Sequence, residues 1–400
     1  MKVSSPVTKG RPSVFWSLAF RPFFLAASLW PAIAIAIWIG LLVTGRTLPS
    51  RFDPLTWHIH AMLFGFSYAA IAGFLLTAIS NWTGRPPIRG RVLAGLVVAW
   101  LLGRIICLIS IFVPLWLATV IELAFPILLC IAASREIILA RNWRNLMMPL
   151  PVAVLGIADL LMHLELAGVA LPTGLGWRLA IVGIIALITA IGGRIIPNFT
   201  RNWLAKQGRP ARPINHGLID RIALAALHMG LLGWAFLPTT RLIGGLLVLA
   251  AALNLWRLAR WHGWSTVSEP LLAMLHVGYL WVILGAALLG ASVLTDTIPE
   301  AAAIHAFTAG AIGTMVLAIM TRVARGHTGR ALEADRITAA IYAAIILAGV
   351  IRVAAGFTVE STMILLQISA FLWMVAFLLF VSVYGPMLIL PRVDKGPRPT

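Results

Sequence analysis

Long apolar runs separated by short polar segments dominate the chain, and the polar segments are mostly basic. A helix that crosses a bilayer needs about 20 predominantly apolar residues, each advancing about 1.5 Å. Twelve runs meet that requirement. They begin near Phe23, Leu55, Arg91, Leu115, Pro149 and Trp177, and then near Gly217, Leu242, Pro270, Ala301, Ile337 and Thr362. The pattern predicts an all-α, polytopic transmembrane bundle over residues 1–400, a single domain with tails at 1–17 and 391–400. Pro31, Pro114, Pro126 and Pro151 are expected to kink helices or mark their ends.

Composition removes the water-soluble alternative. Hydrophobic residues make up 60% of the chain and charged residues 11%, against about 45–50% and 25% in soluble domains. The net charge of +18 would suggest nucleic acid in a soluble protein. Here the basic residues sit in short connections, and topology accounts for them. With the N-terminus placed inside, 25 of the 31 Lys and Arg fall on that side, in seven groups from Lys2, Lys9, Arg11 and Arg21 to Arg392, Lys395 and Arg398. Arg46, Arg51, Arg104, Arg178, Arg241 and Arg352 fall on or near the other. This alternation predicts twelve spans with both termini cytoplasmic, lipid as the surrounding partner and no nucleic acid. The first apolar run is too long for a cleavable signal peptide and lacks a small-residue cleavage site. Two cysteines, Cys107 and Cys130, exclude a disulfide scaffold or a thiolate cluster and read as packing residues. The connection from Arg201 to His216 reads as a basic solvated linker or a headgroup contact.

Ionisable residues inside spans are costly and point to function. Of nine histidines, His216, His262 and His327 fall in inside loops. His58, His60, His163 and His305 lie one or two turns from the outer ends of spans two, five and ten, whereas His228 and His276 lie near mid-membrane in spans seven and nine. Imidazoles with few carboxylates and no thiolates suit haem iron, copper or zinc, so all six are candidate metal ligands. A hydrogen-bonded interhelical role is the alternative for any one of them. His58 and His60 are two residues apart, about 200° on a helix, so unless the helix start is unwound they serve different sites or one of them is a helix-end residue at the interface. Asp159 lies four residues before His163, on the same face, and could orient a metal-bound imidazole. Asp159 and Glu165 are candidate proton-relay groups; Glu122, Asp220 and Glu269 are further ones. Arg194 reads as an anion or propionate clamp or as a snorkelling basic residue, and so does Arg322. Gly65, Gly73, Gly310 and Gly313 could admit a planar ring. Trp16, Trp57, Trp82, Trp143, Trp177, Trp203, Trp261 and Trp264 lie near span ends, as interfacial belts require.

One internal echo links spans two and ten. His60-Ala61, Gly65 and Thr83-Gly84-Arg85 recur as His305-Ala306, Gly310 and Thr328-Gly329-Arg330, at a constant offset. Six-helix halves would not pair these spans, but a four-helix unit would pair spans two, six and ten. Span six adds only Thr189-Ala190-Ile191 against Thr77-Ala78-Ile79.

Longer strings carry a family resemblance. They are Leu18–Phe24 (LAFRPFF), Trp57–Phe66 (WHIHAMLFGF), Gly73–Pro86 (GFLLTAISNWTGRP), Gly192–Trp203 (GGRIIPNFTRNW), Leu275–Trp281 (LHVGYLW) and Gly310–Arg330. Together they resemble the NnrS family of bacterial haem- and copper-containing membrane proteins linked to nitric oxide metabolism and nitrosative stress. The resemblance implies an inner-membrane protein with non-covalent haem b, copper and nitric oxide as ligand. It puts His58, His60, His276 and His305 among the haem or metal ligands, with Arg194 in a matching motif; His163 and His228 are added from depth alone. The first expectation is a protein that reduces or detoxifies nitric oxide, with electrons from an external donor and Asp159, Glu165 and His228 as relay groups. A twelve-helix haem or copper transporter and a non-catalytic haem sensor or assembly factor are the alternatives.

Overall fold

The computed structural model describes residues 13–209 and 217–393. Lys2, Lys9, Arg11, Arg212, His216, Lys395 and Arg398 lie outside the described residues, as do most of both tails and part of the connection expected after Arg201. Every regular element among the described residues is helical. Among the described residues, twelve helices are long and apolar enough to cross a membrane: α1 (Phe20–Thr44), α2 (Pro54–Thr83), α3 (Gly90–Leu108), α4 (Leu115–Leu139), α5 (Trp143–Leu166), α6 (Leu175–Lys206), α7 (Leu218–Phe236), α8 (Arg241–Ala259), α9 (Pro270–Leu294), α10 (Glu300–His327), α11 (Arg336–Phe357) and α12 (Thr362–Ile389). The start sites read from hydropathy agree to within a few residues, except that α5 opens earlier with the short turn Trp143–Asn145 before regular helix from Leu150. Helix α6 runs on to Lys206, so Arg201 is helical and the connection after it is shorter than expected. Pro31 and Pro126 sit inside helices, whereas Pro114 caps α4 and Pro151 lies in the first turn of regular helix in α5.

Local chemistry explains the helix ends. Asp53 Oδ1 accepts from the backbone N–H of Leu55 (3.0 Å) and Thr56 (3.1 Å), and Pro54 follows at the first helical position. Those are donors a helix start would otherwise leave unpaired. At the other end of α2, Thr83 Oγ1 donates to Ile79 O and Gly84 takes φ +67°. Helix α10 closes the same way, with Thr328 on Ala324 O and Gly329 at φ +80°. A left-handed residue ends a helix cheaply only as glycine.

Three helices form the interior. In their most apolar windows, 78% of residues are buried in α2 and 67% in each of α6 and α10, against 50% or less elsewhere. These three touch one another, and α1 packs against α12 to close the surrounding layer. They are the helices that the four-helix reading of the echo pairs. The echo is also structural: α2 widens into a π-helical turn at Ala61–Phe66, directly after His60, and α10 does so at Ala306–Ile312, directly after His305.

The glycines expected to admit a planar ring do lie against rings, but the rings are the protein's own. Gly65 faces the Trp30 indole, Gly73 faces Phe24, Gly310 faces Trp281 and Gly313 faces Trp373. Trp30 Nε1 donates to Ala61 O and Trp100 Nε1 to Gly65 O, each at 2.9 Å. The interfacial-belt reading also needs correction for two tryptophans. Trp57 and Trp261 are fully buried, while Trp143 and Trp264 are exposed as a belt requires.

Candidate functional site

The four histidines grouped by depth resolve into two pairs, both at the end of the bundle that carries the Gly45–Asp53 connection. His58 and His60 leave α2 in different directions, as their spacing demands, and each joins a different pair.

His60 points into a buried cluster with Glu122 of α4 and Asp159 and His163 of α5; their exposures are 0%, 1%, 0% and 4%. His60 Nε2 lies 2.9 Å from Asp159 Oδ1 and 3.0 Å from Glu122 Oε2. His163 Nε2 lies 3.6 Å from Glu122 Oε2 and 3.8 Å from Asp159 Oδ1. One ligand atom from each residue falls within 4.8 Å of all the others. Only the His60–Asp159 contact has hydrogen-bond geometry; both Glu122 oxygens, Asp159 Oδ2 and both His163 nitrogens are buried without a hydrogen-bond partner. Around the cluster, Arg104 Nη2 approaches Glu122 Oε2 at 3.5 Å, Cys107 Sγ lies 3.5 Å from His60 Nδ1, and the Phe52 ring stacks on His60. Asp159 thus sits closer to His60 than to His163, the partner that helix periodicity suggested. Cys107 contacts a site imidazole and does more than pack.

The second pair lines a cavity of about 700 Å³. His58 and His305 both face it, with Trp38, Phe52, Thr308 and Arg352, and it continues toward Ser369 and Trp373 of α12. The His58 ring stacks on Trp38 with centroids 4.7 Å apart and planes 14° from parallel, and its Nδ1 has no hydrogen-bond partner. His305 Nδ1 lies 2.7 Å from Ala301 O, one turn back in α10. With the N–H on Nδ1 donating there, Nε2 keeps its lone pair. Phe52 lines the cavity and covers the cluster, so one ring separates the two sites.

The other expected residues stand apart from both sites. His228 Nε2 is 2.9 Å from Thr189 Oγ1 and His276 Nε2 is 2.9 Å from Thr200 Oγ1, so each pairs with a hydroxyl of α6. They do not form a central pair; each makes an interhelical contact through one ring nitrogen, and His276 keeps a buried, unpartnered Nδ1. Glu165 accepts from the Gly174 N–H at 3.1 Å and lines the cavity rather than joining the cluster. Arg194 lines neither site; Arg51 and Arg352, both placed by sequence among the outer basic residues, line the cavity. Asp220 is held by Arg257 (3.0 Å) and Arg260 (2.9 Å), and Glu269 accepts from Leu271 N at the start of α9. Burial pushes the Glu269 carboxyl up from its ordinary value.

A second cavity, of about 360 Å³, lies at the opposite end between α2, α6 and α10, with Arg322 over the Phe199 ring and His327 in its wall. Between the two lies a small apolar pocket of about 90 Å³ on the same three helices.

Fold and site together define a multi-pass membrane protein that carries a buried imidazole–carboxylate cluster beside an imidazole-lined cavity. The chain belongs to the NnrS family: the model described as NnrS protein matches residues 14–392, nearly the whole length. Membership fits a membrane protein connected with nitric oxide. No curated protein matches the chain.

Proposed function

We propose that this protein is a haem-binding inner-membrane protein that handles nitric oxide, with the haem in the cavity lined by His58 and His305 and both termini cytoplasmic. The observation that carries the reading is that one cavity collects two imidazoles from two interior helices and two arginines, of which Arg51 already donates to the Ser110 and Val113 carbonyls. Its volume lies within the range of about 300–1,000 Å³ typical of cofactor sites. His305 is the residue that would hold the haem iron, because the Ala301 carbonyl fixes its tautomer and leaves Nε2 free. His58, stacked on Trp38, is the imidazole with which nitric oxide would compete. Arg352 is placed to pair a propionate, since a planar guanidinium binds carboxylates through two bonds. Ferrous haem in such a pocket supplies an iron that binds nitric oxide. The gas would enter from lipid, where apolar solutes concentrate.

The test is an optical spectrum of the detergent-purified protein: oxidised, dithionite-reduced, and reduced with nitric oxide. A stoichiometric b-type spectrum that nitric oxide shifts is the expected result. His305→Ala should drop haem content below a tenth, and His58→Ala should keep haem but change its spin state. A haem-free protein, or wild-type spectra in both variants, would overturn the reading. A haem or copper transporter is the second reading, favoured by the two cavities on opposite sides of the apolar pocket along α2, α6 and α10. It predicts substoichiometric, exchangeable cofactor.

A further inference from the structure

We infer that His60, Glu122, Asp159 and His163 form a second, non-haem metal centre that takes one divalent first-row transition ion through two imidazole nitrogens and two carboxylate oxygens.

Three observations carry this. The first is spacing. Metal–ligand bonds of about 2.0–2.1 Å in a tetrahedral site put ligand atoms about 3.3 Å apart. The His60 and His163 Nε2 atoms lie 2.9 to 3.8 Å from the two carboxylate oxygens, on both sides of that value. A small breathing of side chains, without backbone movement, would bring the four to a common distance.

The second is unmet valence. His60 Nε2 has one proton to give and aligns it on Asp159, which leaves both Glu122 oxygens, Asp159 Oδ2 and both His163 nitrogens buried without hydrogen bonds. Buried polar atoms are nearly always partnered, and five unpartnered atoms in one cluster are far outside that pattern. A cation at the centre would take Glu122 Oε2 and His163 Nε2 from that set, together with Asp159 Oδ1 and His60 Nε2, the His60 proton then residing on Nδ1 beside Cys107 Sγ. Arg104 alone cannot, because it reaches Glu122 only at 3.5 Å and leaves two of its own nitrogens unpaired.

The third is the outer layer. Cys107 Sγ at His60 Nδ1 turns the opposite nitrogen toward the carboxylates, and the Phe52 ring stacks on His60 on the side of the cavity. An orienting contact on the far ring nitrogen and a hydrophobic cover are usual around metal-bound imidazoles. The donor set selects the class of ion. Imidazole and carboxylate suit zinc, ferrous, manganous or cupric ions, and no sulfur stands among the four donors to favour cuprous copper. The cluster also stands on different residues from the haem proposal, so either assignment can fail alone.

The experiment is metal analysis of the purified full-length protein after exposure to Zn²⁺, Fe²⁺, Mn²⁺, Cu²⁺ or Cu⁺ in turn and removal of loose metal with a weak chelator, counted per protein chain with haem iron measured separately. One retained equivalent of a divalent ion beyond haem is expected. Glu122→Gln and Asp159→Asn, which keep side-chain volume, should each lower it to below a tenth while haem content stays at the wild-type level. His305→Ala should do the reverse. Wild type that retains none of the four divalent ions would overturn the inference, as would retention only of Cu⁺, or full retention in the Glu122→Gln/Asp159→Asn double variant.

Discussion

Replacing Gly65 by alanine tests the packing that holds the His58–His60 turn. In an ordinary helix this change is favourable, because glycine costs about 0.5–1 kcal/mol relative to alanine. At Gly65 the new methyl would overlap the Trp30 indole. Trp30 must then move, and forced overpacking costs about 1–3 kcal/mol. Its bond from Nε1 to Ala61 O at 2.9 Å is lost with the movement, a further loss of about 1 kcal/mol. Subtracting the helix gain leaves a net destabilisation of about 1–3 kcal/mol. The protein supplies its own controls. Gly95 in α3 and Gly245 in α8 have nothing within 4 Å of the position a methyl would take. Their alanine variants should gain up to about 1 kcal/mol. Thermal unfolding in detergent, followed by tryptophan fluorescence, would rank the three variants against wild type. The decisive feature is the sign: Gly65→Ala below wild type, the controls at or above it. A Gly65→Ala protein as stable as Gly95→Ala would refute the claim that Trp30 is locked against this backbone.

Other expectations follow from single contacts. Asp335 accepts from Thr338 N at 2.7 Å and pairs with Arg325, so Asp335→Ala should cost about 1 kcal/mol through the lost cap; the half-exposed ion pair adds little. Burial disfavours the charged Asp335 carboxyl, but the Thr338 and Arg325 contacts outweigh it and hold it below its ordinary 3.8. Its stabilisation is therefore complete above that value and lost as pH falls through the folded-state value, and an acid titration of melting temperature should be flatter in Asp335→Ala. Arg257→Met removes one of two guanidinium partners of buried Asp220 and a donor to the Tyr279 hydroxyl; with Arg260 still in place the loss should be about 2 kcal/mol, under the full cost of an unpaired buried charge, read by the same melts. A cysteine at Thr47 should react with a membrane-impermeant maleimide in spheroplasts, and one at Pro87 only after permeabilisation; the reverse pattern would invert the proposed topology.

Hydropathy and the alternation of basic residues made the twelve spans legible, because crossing a bilayer is a one-dimensional demand on the chain. The division of His58 from His60 was legible too, because it needs only the helical period. Which residues stand beside them was not. Glu122 and Arg104 join His60 from α4 and α3, and nothing in their local sequence encodes that neighbour. Arg352 looked like one more outer basic residue, yet the fold turns it into the cavity with His58 and His305. His228 and His276 show the same limit: depth in the membrane is read from the sequence, but the threonines of α6 on which each rests one ring nitrogen are not. The echo between α2 and α10 had the opposite fate. Six scattered identities looked slight, yet they mark the π-helical turn and the glycine-capped end that both helices share.

The π-helical turn in α2 sets the angular phase of everything before it. An extra residue held in a helical turn offsets the upstream segment by about 100° from the direction a continuous α-helix would give it. Asp53 to His60 are therefore aimed by a length of chain rather than by any one side chain. A single deletion between Ala61 and Phe66 would leave hydropathy and span length almost unchanged, yet swing both imidazoles together away from the cavity and the cluster they now face.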